Sequence, residues 1–106
     1  MQTVIQVISS GTTSLRDAIV NDTKLQSFGL VVAQQKKITR PHGWAKLHMP
    51  GEAGAINLQW HGASQTLICR IVTRGEKPNA IAGAFTNYLL ARLSRKIHSI
   101  QIIPGR

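Results

Sequence analysis

Three successive stretches of this chain alternate apolar and polar residues with a period of two. In "INLQWH", Ile56, Leu58 and Trp60 fall on one side of an extended chain, and Asn57, Gln59 and His61 on the other. In "WAKLHM", Ala45, Leu47 and Met49 oppose Trp44, Lys46 and His48. In "TLICRIVTR", the set Thr66, Ile68, Arg70, Val72, Arg74 is the more polar of the two. Side chains of a strand point alternately to its two faces, so such runs predict half-buried antiparallel strands with one face on a core. "INLQWH" and "TLICRIVTR" are joined by a loop of about four residues around Gly62 and read as a β-hairpin.

The remaining elements fit around this meander. "QTVIQVI" predicts a first strand that ends at Ser9-Ser10-Gly11. "SLRD" has a serine with an acid three residues on, the pattern of a capping box. It opens a helix expected over 15–25, with Asn21-Asp22 as its weak point. "LVVAQQKKI" predicts a strand whose second half turns basic, and Pro41 and Gly43 break it. After "GEKPN", Ile81, Phe85, Leu89 and Leu93 recur every four residues, which predicts a helix with its apolar stripe in the core and Asn79 as N-cap. "HSIQIIP" predicts a last strand, ended by Pro104.

The expected order is β-α-β-β-β-β-α-β in a single domain over 1–106: an α+β fold with a mostly antiparallel sheet and two helices packed on one face. Two helices cover only one side of such a sheet, so the other side must face water or a partner.

Charge narrows what that open side does. Thirteen Lys and Arg face four acids, for a net charge of +9 on 106 residues. A field of that sign favours polyanions. On the open face the alternation places Trp44, Lys46 and His48, then Asn57, Gln59 and His61, then Arg70 and Arg74. Cations track phosphates, and an exposed indole stacks a base. Lys36, Lys37 and Arg40 would extend the surface along the second strand, and Lys77 lies in "TRGEKPN" before the second helix. The expected function is therefore nucleic-acid binding, to RNA or DNA, through Lys36, Lys37, Arg40, Trp44, Lys46, Arg70, Arg74 and Lys77. The plain alternative for every one of these side chains is a solvated polar face.

Two other readings stay open. His48, His61 and Arg70 on one face would supply the acid, base and phosphate-binding groups of a metal-independent, toxin-like ribonuclease. A first or last strand left at the sheet edge would pair between subunits and make a homodimer or larger assembly. No nucleotide fingerprint or hydrolytic triad is present, so no cofactor is expected. The four histidines lack cysteine partners, helical spacing and enough carboxylates for a metal site. The single cysteine, Cys69, lies in a predicted strand and is expected to be buried and inert, which suits the reducing cytosol. No run approaches the ~20 apolar residues of a membrane span.

The run over 73–102 resembles the Alba chromatin proteins and the C-terminal domain of translation initiation factor three. The likeness lies in its strand, Arg74-Gly75, the helix and the following strand. Those families carry further strands after the last one here, and their N-terminal halves do not match. The resemblance does not assign the chain to either.

Overall fold

A computed structural model describes residues 2–34, 43–75, 77 and 79–104, with the backbone alone for Gln34. The elements follow the expected order: β1 (Gln2–Ser9), α1 (Leu15–Val20), β2 (Val31–Gln34), β3 (Trp44–His48), β4 (Gly54–His61), β5 (Thr66–Thr73), α2 (Ala80–Arg92) and β6 (Ile97–Ile103). The six strands form one antiparallel sheet in the order β2-β3-β4-β5-β1-β6. Strand β1 lies between β5 and β6, so the first strand is interior and its expectation as an edge is corrected. The sheet instead ends at β2 and β6.

The period-two pattern assigns the core face correctly. Ile5 and Val7 of β1, Ala45 and Leu47 of β3, Ile56 and Leu58 of β4, and Leu67, Cys69 and Ile71 of β5 form one buried cluster. The stripe of α2 completes it: Ile81, Phe85 and Leu89 are buried, as is Leu93 just beyond the helix. Tyr88 is buried beside the stripe, edge-on to Phe28 with ring centroids 5.5 Å apart. Cys69 is wholly buried, and burial pushes its thiol well above the usual range. No helix among the described residues is long and apolar enough to cross a membrane.

Helix α1 is shorter than expected, and Asp22 accounts for the difference. Ser14 caps the start, its hydroxyl accepting from the Asp17 amide at 3.2 Å. The helix stops at Val20. Asp22 then accepts the Lys24 amide at 2.9 Å, so its side chain competes with the helix for a backbone donor. Leu25 still reaches the core, but from a separate 3-10 turn over Leu25–Phe28. Asn79 stands at the N-cap position of α2, but its side chain makes no capping bond.

The hairpin loop is the four residues 62–65 between β4 and β5. Its last residue, Gln65, sits in the left-handed region at φ 53. Gly54 opens β4 at φ 139, a conformation that is essentially open only to glycine. A Cβ there would lie 2.2 Å from the Val72 carbonyl oxygen and 3.0 Å from the Thr73 Cα.

Candidate polyanion-binding face

The side of the sheet away from the helices is built in rows that the strand register defines. Lys46, Asn57 and Arg70 stand opposite one another on β3, β4 and β5. The row continues through Val4 of β1 to Ile103 of β6. With neighbouring strands ~4.8 Å apart, the backbones of Lys46 and Arg70 are about 10 Å apart. A second row runs Trp44, Gln59, Ile68, Gln6, Gln101, and a third runs His61, Thr66, Ile8, Ser99.

The face is therefore divided. Its β3–β5 part carries the basic and amide side chains. Its β5–β1–β6 part carries Val4, Ile8, Ile68, Val72 and Ile103 among glutamines. The sequence singled out only the polar members of this face. Ile68 and Val72 do lie on the open side with Arg70, as the alternation of β5 requires, but they leave that part apolar.

At the β4 end of the basic part is an open depression of about 460 Å³. The small residues Ala33, Gly54 and Ala55 leave it room, and Lys46, His48, Asn57 and Arg74 bring polar groups to it. Arg70 and Arg74 are exposed, and Lys77 is exposed beyond them. The two ion pairs formed between described residues are Arg16–Asp17 and Arg92–Asp22. Lys46, Arg70, Arg74 and Lys77 thus have no carboxylate partner among the described residues. Glu52 marks the margin of the surface: its Oε2 would be 3.9 Å from a Cβ built on Gly75.

Several expected site residues stand elsewhere. Trp44 belongs to the open side by register, yet it is only 4% exposed, so its expectation as an exposed stacking platform is corrected. It begins its strand beside α1, where Arg16 donates to its carbonyl from Nε at 3.3 Å and from Nη2 at 3.1 Å. Alternation assigns a residue to a face but does not say what covers the end of a strand. His48 and His61 do not converge. Leu47 is opposite Ile56, so His48 lies at the start of β4 while His61 ends it. Six residues of strand separate the two levels, about 20 Å. A site using both histidines on one phosphodiester is excluded by that register. Lys36, Lys37 and Arg40 lie outside the described residues.

The small residues at the start of β4, unlike Asn57, carry no mark in the sequence as part of this surface. "PGEAG" reads as a break, whereas Gly54 is already the first residue of β4 and Ala55 the second. The available signal was the absence of side chains there, which matters only once the neighbouring strands bring Lys46, His48 and Arg74 alongside.

Among the described residues no group of three or more His, Cys, Asp or Glu is placed to hold a metal ion. No family model matches the chain, and neither a curated protein nor a solved structure matches it.

Proposed function

We propose that this protein binds nucleic acid through the phosphate backbone, using the basic part of its open sheet face. The observation that carries the reading is the gathering of Lys46, Arg70 and Arg74, with His48 and Asn57, on one open surface where none of the cations has a carboxylate partner among the described residues. Structural cations usually pair or spread out, whereas these are concentrated, and the chain as a whole carries +9. Lys77, exposed in the connection after β5, and Lys36, Lys37 and Arg40 are proposed to extend it.

The mode of binding follows from the aromatic residues. The chain has five, and each is occupied. Phe85 and Tyr88 are fully buried, Trp44 is 4% exposed, and Phe28 and Trp60 pack against the core. Base stacking, which supports sequence-tolerant binding of single strands, has no exposed aromatic platform here. Phosphate contacts alone carry no sequence information. The buried Cys69 suits the reducing cytosol, where such a polymer is met.

The test is anisotropy titration of labelled duplex DNA, single-stranded DNA and single-stranded RNA of one length, at low and high salt. All three are expected to bind within about tenfold of one another, with no preference among base sequences and with loss of affinity as salt rises. A single strand preferred by 100-fold or more would show that bases are being read and would overturn the backbone mode. RNA recovered intact is expected, given the separation of His48 and His61.

A further inference from the structure

We infer that β6 is a dimerisation edge, which pairs antiparallel with β6 of a second copy across a two-fold axis. The sheet has two edges and they are built differently. Strand β2 has four residues, and its register shifts between Val32 and Gln34, which leaves Ala33 as an extra residue. A short, bulged strand resists pairing with another chain. Strand β6 has seven residues, "IHSIQII", with no charge and no proline. Its one irregularity lies at its start, where the partners of Ile8 and Ser9 are Ser99 and Ile97. None of the usual edge protections is present over its last five residues.

The last two side chains of β6 read as those of an interior strand. Ile102 is opposite the core residue Ile5, and Ile103 is opposite Val4 of the open face, so the edge presents an isoleucine on each side of the sheet. They are 48% and 46% exposed. A strand end that is apolar on both faces, as Ile102 and Ile103 make this one, is normally flanked on both sides.

The backbone groups available for pairing can be named. The Ser9 amide bonds to Gln65 on the β5 side of β1, and the Ser10 amide to Lys96 on the β6 side. Backbone groups alternate along a strand, so Val4, Gln6 and Ile8 turn theirs toward β6. Their partners Ile103, Gln101 and Ser99 turn theirs back toward β1. The N–H and C=O of Ile100 and Ile102 therefore point outward.

A second copy of this chain is the occupant that fits. Antiparallel strands match one another under two-fold symmetry, and four half-exposed isoleucines would be brought together. Charge sets the same orientation. Arg95 and Lys96 precede β6. Two-fold pairing puts the basic ends of the two copies at opposite ends of a seven-residue ladder, about 20 Å apart and beyond the ~8 Å screening length at physiological salt. A parallel pairing would stack them. This inference does not depend on the nucleic-acid reading.

The test is sedimentation equilibrium of the full chain in about 0.5 M salt, where polyanion-mediated association is screened. Edge pairing buries less than a standard interface, so a dissociation constant of roughly tens of micromolar is expected. The apparent mass should rise with concentration from 11.6 kDa toward twice that value. Ile102→Pro removes an outward N–H and no bond to β1, and should stay monomeric with unchanged circular dichroism. If that variant fails to fold, Ile103→Lys decides, since it alters only a half-exposed side chain and should weaken association at least tenfold. A wild-type chain that remains monomeric up to about 0.5 mM, or folded edge variants that associate like wild type, would overturn the proposal.

Discussion

Gly54→Ala should lower the stability of the protein by about 3 kcal/mol or more, the largest effect expected from any single methyl group in this chain. Two costs combine. At φ 139 an alanine backbone is strained by about 1–3 kcal/mol. The new Cβ would also lie 2.2 Å from the Val72 carbonyl oxygen, a backbone atom of β5. Val72 is held in register by both Ala55 and Gln2, so it cannot withdraw without disturbing the β4–β5 and β1–β5 ladders. In urea, with a slope near 1.5 kcal/mol/M for a chain of this size, the midpoint should fall by about 2 M. A fall of less than about 0.5 M would show that β4 starts later than Gly54 in solution. Gly51, where an added Cβ meets nothing within 4 Å, is the control for glycine replacement at positive φ without a clash.

The second large effect belongs to Asp22. Its carboxylate accepts the Tyr88 hydroxyl at 2.8 Å, Arg92 Nε at 3.1 Å and Nη2 at 3.0 Å, and the Lys24 amide at 2.9 Å. It thereby ties the segment after α1 to the last turns of α2, across about 70 residues of sequence. The side chain of Asp22 is 7% exposed and that of Arg92 is 41% exposed, so the pair is buried from one side only. The Arg92 guanidinium, followed by the Lys24 amide and the Tyr88 hydroxyl, holds the carboxyl at about 2, below its ordinary 3.8, against the opposing effect of burial. Burial, and then the same carboxylate, push the Tyr88 hydroxyl well above its usual range.

Asp22→Ala should cost about 2–3 kcal/mol at neutral pH, because it leaves the buried Tyr88 hydroxyl without its acceptor as well as removing a charge-assisted pair. The pH dependence has a definite sign. A carboxyl lowered in the folded state contributes its full stability above its unfolded value near 3.8, and that contribution is lost as pH falls toward about 2. Wild type and variant should therefore converge in stability between about pH 4 and 2. Parallel curves through that range would mean that the network does not titrate as a unit with folding.

The architecture was largely legible because its main signal is local. Alternation on β3, β4 and β5 gave both the antiparallel meander and the correct core set, since a strand's faces follow from residue parity alone. The α2 stripe was legible for the same reason at a period near four. Strand order was not legible. That β1 inserts between β5 and β6 depends on which strands pair across more than 50 residues, from Ile8 with Thr66 upward, and no pattern within β1 or β6 encodes it. Residues at element ends were only partly legible. Trp44 obeys parity but is covered where its strand begins; α1 does end at the weak point Asn21-Asp22, but nothing local shows that Asp22 anchors a network with Tyr88 and Arg92. His48 and His61 share a face, as parity says, but only the register reveals that they stand at opposite ends of it. Among the site residues, Arg70 and Arg74 were placed on the open side from the sequence. The convergence of Arg74 with Lys46, His48 and Asn57 around a hollow left by Gly54 and Ala55, and the row that sets Arg70 opposite Asn57, required the fold.

The most direct test of the proposed function is the salt dependence of duplex DNA binding by wild type and by the double charge reversal Arg70→Glu, Arg74→Glu. Each phosphate contact contributes about 0.9 to the slope of log affinity against log salt. Loss of the two arginines from the open face should reduce that slope by about 2 and weaken binding by about 10- to 100-fold near 0.1 M salt. Both side chains are exposed and unpaired with any described carboxylate, so the urea midpoint should be nearly unchanged. A folded double variant that binds duplex with wild-type affinity and wild-type slope would contradict the account, because the phosphates would then be held somewhere other than the open face.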